Sequence, residues 1–109
     1  MNSLEAYVCG SDGRVVGDSV EISLTGFENT FRDVDLGKFP LVGKISAYNK
    51  NTEFTAEFLE DLEAELGGLL LERRHDGIST STLTSLLSLV SQAKHAMRPV
   101  KFRFVDGGV

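Results

Sequence analysis

Residues 58–70 carry apolar side chains at the spacing of an amphipathic α-helix. At about 100° per residue they fall within an arc of roughly 120°. They are Phe58, Leu59, Leu62, Leu66, Leu69 and Leu70. Thr55 precedes them as a preferred N-cap residue, and Gly67-Gly68 marks a point where the helix either kinks or stops. One face of this helix must be buried against another element, so the segment constrains the fold around it.

A second helical pattern follows at residues 79–97. The segment "RRHDG" separates the two patterns, and we interpret Asp76-Gly77 as the end of the first helix. Ser79, Thr80 or Ser81 can cap the second helix, and Pro99 prevents its continuation. Its apolar stripe is Leu83, Leu86, Leu87, Val90, Ala93 and Met97. Its opposite face is polar and nearly uncharged, with Ser85, Ser88, Ser91, Gln92 and His95.

Alternating patterns at both ends of the chain predict β-strands. Leu4, Ala6 and Val8 alternate with polar or mixed residues, and a similar pattern follows at residues 20–25. Asp12-Gly13 between them is a favoured hairpin turn, and Gly17-Asp18 suggests a bulge or a second turn. The run "VKFRFVDGG", residues 100–108, is the last predicted strand.

Two segments between the first hairpin and the first helix are less regular. We interpret residues 26–38 as a loop or a short strand anchored by Phe27 and Phe31. The run "KFPLVGKISAY" is apolar and short enough for a strand that begins at Pro40 or lies at a sheet edge, because proline cannot donate to a ladder.

The predicted element order is therefore β-β-β-α-α-β. We expect an α+β fold in which two helices pack on one face of an antiparallel or mixed sheet. At 109 residues, the chain (1–109) has the length of one globular domain.

Charge and residue usage argue against several classes of ligand. A net charge of −5 disfavours nucleic acid, which requires a basic patch. Cys9 is the sole cysteine and His75 and His95 are twenty residues apart, so no metal site is expected. The glycines fit no nucleotide loop, and we expect no cofactor. No apolar run approaches the ~20 residues of a membrane span, and no secretion signal is evident, so we expect a cytoplasmic protein.

Catalytic constellations are also lacking. The carboxylates of the first helix lie on its outward arc, where water keeps them ionised, whereas acid catalysis requires one shielded carboxyl group. Asp33 and Asp35 flank Val34, but no surrounding residues indicate a pocket. The serines fit no nucleophile turn of the G-x-S-x-G type. We expect that the chain is not an enzyme.

Residues 53–65 contain six carboxylates and no Lys or Arg. They are Glu53, Glu57, Glu60, Asp61, Glu63 and Glu65. One interpretation is an ordinary solvated helix face. The other is a surface for a basic partner, because like charges at i,i+4 such as Glu57 and Asp61 cost a few tenths of a kcal/mol that a Glu-Lys pair would not. The six acids are therefore the candidate partner-binding residues.

The small size, the acidity, the missing catalytic motif and the mixed α/β pattern resemble those of the small immunity proteins that bacteria make against their own secreted toxins. The run "FPLVGKI", followed by "FTAEFLEDLEAEL" and "KFRFVDGG", is also similar to small proteins of actinomycetes over residues 39–106. The resemblance implies an inhibitor whose acidic residues cover the basic active site or surface of a toxin domain.

The alternative is a homo-oligomeric structural or regulatory domain. Its interface would be either the neutral Ser/Gln face of the second helix or an open sheet face that carries Tyr7, Lys101 and Arg103.

Overall fold

The computed structural model describes residues 2–10, 14–45 and 51–106. In chain order, the elements are β1 (Asn2–Cys9), β2 (Val15–Ser23), α1 (Leu24–Phe31), α2 (Pro40–Ile45), β3 (Thr52–Phe54), α3 (Leu59–Glu72), α4 (Gly77–Ala96) and β4 (Val100–Asp106). A single 3₁₀ turn, Ala56–Phe58, leads directly into α3. The predicted α+β class is confirmed.

Among the described residues, four strands form one antiparallel sheet in the order β2-β1-β4-β3, with β2 and β3 at its edges. The predicted bulge in β2 is present. Tyr7 lies opposite Ser19 whereas Val8 lies opposite Val16, which leaves Gly17 and the next residue outside the register. Gly17 has a φ of 73°, a conformation that glycine adopts at little cost. The predicted turn at Asp12-Gly13 lies outside the described residues.

The two faces of the sheet differ in character. Leu4, Ala6 and Val8 of β1 and Val100 and Phe102 of β4 point to one face and belong to one apolar core. Buried leucines of the two long helices complete that core: Leu59, Leu62, Leu66 and Leu69 of α3, and Leu83, Leu86 and Leu89 of α4. The alternate residues, among them Glu5, Lys101 and Arg103, occupy the opposite face. The two long helices therefore pack on one face, as predicted.

Residues 26–38, predicted as a loop or short strand, instead include most of α1. Ser23 caps this helix, and its Oγ accepts a hydrogen bond from the N–H of Gly26 at 3.1 Å. Phe27 and Phe31 are four residues apart, so both point into the core, with ring centroids 5.2 Å apart. The two aromatics anchor the segment as predicted, but through a helix.

The third strand was also misplaced. Within the run "KFPLVGKISAY", residues 40–45 form α2, and the last three residues lie outside the described parts of the chain. Pro40 is the first helical residue, where its fixed φ suits the helix and its missing N–H costs nothing. The strand of this region is β3, three residues long and paired with β4. The order β-β-β-α-α-β therefore omitted two short helices between the second and third strands.

α3 continues through Gly67-Gly68 and ends at Glu72, so neither a stop nor a break occurs there. A Cβ on Gly68 would lie 3.2 Å from the Cε1 atom of Phe39, whereas a Cβ on Gly67 would meet nothing within 4 Å. Gly68 therefore lets the buried ring of Phe39 approach the helix backbone closely.

α4 begins two residues earlier than predicted. Asp76 is its N-cap, and the carboxylate accepts hydrogen bonds from the N–H groups of Ile78 (3.0 Å) and Ser79 (3.5 Å) and from the Ser79 hydroxyl (2.9 Å). The cap predicted at Ser79, Thr80 or Ser81 is wrong because an ionised carboxylate accepts the orphan N–H groups one turn earlier. Asp76 thus starts α4 instead of closing α3.

The far end of α4 also differs in detail from the pattern. Met97 was placed in the apolar stripe, but it adopts the left-handed conformation at the C-cap (φ 55°) and is 81% exposed. Leu89, which was not part of the predicted stripe, is buried. In the described part of the chain, no helix has the length and apolarity that a membrane crossing requires.

Candidate protein-binding surface

The structure divides the six candidate acids into two groups. Glu63 and Glu65 are half-buried and bonded to other parts of the chain. Glu53, Glu57, Glu60 and Asp61 are exposed. The division follows their positions, because the exposed acids precede or begin α3 whereas Glu63 and Glu65 lie further along it, beside α4 and α2.

Glu65 caps α2. Its Oε1 atom accepts hydrogen bonds from the N–H groups of Leu41 at 2.9 Å and Val42 at 3.1 Å, the second and third residues of that helix. These groups have no acceptor within the helix, and the positive end of the helix dipole favours a carboxylate beside them. Glu65 therefore has a structural role inside this chain.

Glu63 joins α3 to α4. Its Oε1 atom lies 2.7 Å from the Nζ atom of Lys94. The hydrogen bond that Lys94 donates to Glu63 raises the pKa of Lys94, and the charge of Glu60 acts in the same direction. The ammonium group therefore neutralises part of the negative charge on this helix, and Glu63 is unavailable to a partner without loss of this pair.

Glu53 lies on the edge strand β3, directly opposite Lys101 of β4. Residues opposite each other in an antiparallel pair have side chains on the same face, so Glu53 and Lys101 share the sheet face that lies away from the helices, on which Tyr7 is buried. Its charge also influences the nearby thiol of Cys9. Glu53 therefore belongs to the mixed-charge sheet face.

Glu57, Phe58, Glu60 and Asp61 form what we call the acidic patch. Glu57 and Phe58 lie in the 3₁₀ turn, and Glu60 and Asp61 in the first turn of α3. All four side chains are exposed, Phe58 by 43%. Among the described residues, no Lys, Arg or His lies within ion-pair distance of the three carboxylates. Glu57 accepts a hydrogen bond from the hydroxyl of Thr55 at 3.2 Å.

The basic residues that follow the acidic stretch in the sequence either bond other groups or lie far from the acidic patch. The guanidinium of Arg73 donates to the backbone carbonyls of Thr30 (3.2 Å) and Arg32, and so caps the C-terminus of α1. Arg103 pairs with Glu5 at 2.6 Å on the sheet face away from the helices. Arg74 is exposed at the opposite end of α3 from the acidic patch. None of these bases forms an ion pair with the patch, whose one electrostatic contact with a base is that of Glu60 with Lys94 among the described residues.

Phe58 is the surface residue that the sequence pattern missed. It was placed in the apolar stripe of α3 because it precedes Leu59 at helical spacing. The 3₁₀ turn has 3.0 residues per turn in place of 3.6, so the phase of the pattern changes at residue 58. Thr55 was predicted to cap this helix, yet its side chain makes no capping bond. Thr55 followed by Glu57 is compatible with an α-helical start and with a 3₁₀ start. The sequence therefore does not indicate that Phe58 is exposed.

Other reactive groups lie apart from the patch. Burial raises the pKa of the Cys9 thiol, which makes it a poor nucleophile. The ring nitrogen Nδ1 of His95 bonds the carbonyl of Ser91 at 2.8 Å on an exposed helix face. A cleft of about 400 Å³ at the end of α3 contains Lys38, Glu72, Arg74 and His75. Within the described ranges, no three His, Cys, Asp or Glu side chains are grouped as metal ligands would be.

No protein-family model, curated protein or solved structure matches this chain significantly.

Proposed function

We propose that the chain is a non-catalytic, cytoplasmic inhibitor of the bacterial immunity type, which covers a basic active site or surface of a protein toxin with its acidic patch. The observation that carries the proposal is the exposure of Phe58 among three carboxylates without a cationic partner among the described residues. Glu63 pairs with Lys94 and Glu65 caps α2, so both are bonded within the chain, and Glu53 lies on the sheet face beside Lys101.

The composition of the patch fits a protein partner. Energetic hot spots of interfaces are enriched in aromatic residues that enter a pocket of the partner, surrounded by polar residues that exclude water. Phe58 supplies the aromatic side chain, and Glu57, Glu60 and Asp61 supply the charged surroundings. Negative charges steer a basic partner during encounter, and this contribution weakens as salt increases.

The rigidity of the support also favours this function. The patch lies on both sides of Leu59 and directly before Leu62, and both leucines are fully buried, so the first turn of α3 is fixed by the core. A surface held in one conformation loses little conformational entropy on binding. The four residues of the patch are therefore presented in a pre-organised arrangement.

The test is co-expression with the protein encoded by the neighbouring gene, because immunity proteins are encoded beside their toxins. We expect the chain to restore growth of cells that express this protein, and to bind it in a purified complex. Phe58→Ala should weaken the complex by about 30-fold, the effect of a hot-spot residue worth ~2 kcal/mol. The triple variant Glu57→Gln, Glu60→Gln, Asp61→Asn should slow association and abolish most of its salt dependence.

A charge-matched control is available elsewhere on the surface. Glu28, Asp33 and Asp35 are exposed acids outside the patch. The triple variant Glu28→Gln, Asp33→Asn, Asp35→Asn removes the same charge and should leave affinity and growth rescue nearly unchanged. Equal losses in both triple variants would mean that net charge, and not the patch, attracts the partner. Absence of rescue and of binding by the unmodified chain would overturn the proposed function.

A further inference from the structure

We infer that a second copy of this chain docks on the edge of the sheet formed by β2, so that two sheets join into one and the α4 helices meet above the junction. The inference concerns a surface remote in sequence from the acidic patch and is independent of the proposed function. It rests on three observations: an unpaired strand edge, an uncovered part of the core layer, and a helix face without charge.

The first observation is the strand edge. β2 has nine residues and pairs with β1 on one side, and no described strand pairs with its other side. An edge strand presents unpaired N–H and C=O groups that another strand can satisfy. The bulge at Gly17 interrupts the first part of the edge, so residues 19–23 are the regular segment available for pairing.

The second observation is that the apolar layer reaches this edge without a cover. Val16 and Val20 lie opposite Val8 and Ala6, and they therefore face the helices. Val16 is nevertheless 44% exposed, and Val20 is half-buried. Val20 lies in a groove of about 320 Å³ between β2 and α4. The other lining residues are Thr84, Ser85, Ser88, Leu89 and Gln92.

The third observation selects the occupant. From Gly77 to Ala93, α4 contains no charged residue, although a quarter of the whole chain is charged. Depletion of charge marks the centres of protein interfaces. The chain has a net charge of −5, so a copy of itself is repelled by most of its surface, and this uncharged face is where two copies can approach without that cost.

Two-fold symmetry restricts how the two β2 strands can be aligned. In an isologous dimer each residue meets its counterpart across a two-fold axis. An axis beside Val20 places Val20 against its counterpart on the helix side, and places Glu21 opposite Ser19 of the other copy on the open side. An axis beside Glu21 would set two carboxylates directly opposite each other, which is destabilising. Charge therefore favours the Val20 register over the Glu21 register, and the Val20 register pairs residues 19–21 of the two copies.

The test begins with the mass of the purified chain by sedimentation equilibrium from low micromolar to millimolar concentration. We expect a monomer–dimer equilibrium. Ser88→Arg should raise the dimer dissociation constant by at least about 30-fold, because the two-fold axis brings in two unpaired charges. Ala64→Arg, which adds the same charge at an exposed position of α3, should leave the constant unchanged. Circular dichroism and thermal unfolding establish that both variants are folded.

Crosslinking tests the register. Directly opposed residues in an antiparallel pair have Cβ atoms about 5 Å apart, close enough for a disulfide after a small adjustment. Val20→Cys should form a covalent dimer under mild oxidation, whereas Val15→Cys, exposed on the same strand but far from the axis, should not. A chain that is monomeric at every concentration, a dimer that tolerates Ser88→Arg, or crosslinking by Val15→Cys in preference to Val20→Cys would each overturn the inference.

Discussion

The carboxylate of Glu65 on α3 accepts hydrogen bonds from the backbone N–H groups of Leu41 and Val42 at the start of α2. At the C-terminus of α3, the guanidinium of Arg73 donates to carbonyls at the end of α1. One long helix thus caps two short ones, with an acid at a positive helix end and a base at a negative end. Short helices are unstable alone, so these contacts are part of what makes both segments helical.

Replacement of Glu65 by alanine should therefore destabilise the fold through α2. We expect a loss of about 1–2 kcal/mol in the free energy of unfolding, the usual effect of removing a helix cap. Glu65→Gln should cost less, because the amide oxygen still accepts from the same N–H groups. Urea denaturation measures both. Asp61→Asn, on the same helix without such a contact, is the control, and equal losses in the two positions would contradict the capping role.

The two glycines of α3 should respond differently to substitution by alanine. Gly67→Ala should stabilise the chain by up to about 1 kcal/mol, because alanine is the better helix former and the new Cβ has open space. Gly68→Ala should gain much less or destabilise the chain, because its Cβ would lie 3.2 Å from the ring of Phe39. Thermal unfolding decides between these outcomes. An equal stabilisation by both substitutions would show that the Phe39 ring moves aside without cost.

Asp76 should make stability depend on acidic pH. Hydrogen bonds from the Ser79 side chain and from the N–H groups of Ile78 and Ser79 hold the pKa of Asp76 below its ordinary value. A lowered pKa in the folded state contributes stability that is complete above the unfolded-state value of ~3.9 and is lost as the pH falls through the folded-state value. The melting temperature of the wild type should therefore exceed that of Asp76→Asn at pH 7, and the difference should vanish in strong acid.

Glu28→Gln is the control for this series, because the exposed Glu28 carboxylate accepts no hydrogen bond among the described residues. Its melting temperature should follow that of the wild type throughout the titration. A constant difference between wild type and Asp76→Asn at all pH values would exclude a contribution from ionisation.

The Glu63–Lys94 pair should make the stability of the fold depend on alkaline pH. Its hydrogen bond raises the pKa of Lys94, so the stability it contributes is complete below the ordinary lysine value of ~10.4 and is lost as the pH rises through the folded-state value. Lys94→Met should lower the melting temperature at neutral pH and approach the wild type in strong alkali. Lys44→Met, an exposed lysine on α2, should have no such pH-dependent effect. A Lys94→Met difference that persists unchanged into alkali would indicate a packing effect.

The sequence by itself determined the α+β class, the two long helices and the first and last strands. Each of these has a hydrophobic period that repeats over several residues, so local pattern and burial agree: Leu62, Leu66 and Leu83 lie in the core as their spacing predicts. The bulge at Gly17 could also be predicted from the sequence, because its positive φ is a conformation that glycine in particular favours.

The tertiary structure decided the rest. Glu65, more than twenty positions away from Leu41 and Val42, accepts hydrogen bonds from their N–H groups and so contributes to the helix at residues 40–45, and no local pattern records such a partner. The acidic stretch is continuous in the sequence, but the fold separates its residues. Glu65 bonds α2 and Glu63 bonds α4, whereas the 3₁₀ turn leaves Glu57 and Phe58 exposed. Periodicity reports which face of an element is buried, whereas the partner of a polar side chain depends on which elements the fold brings beside it.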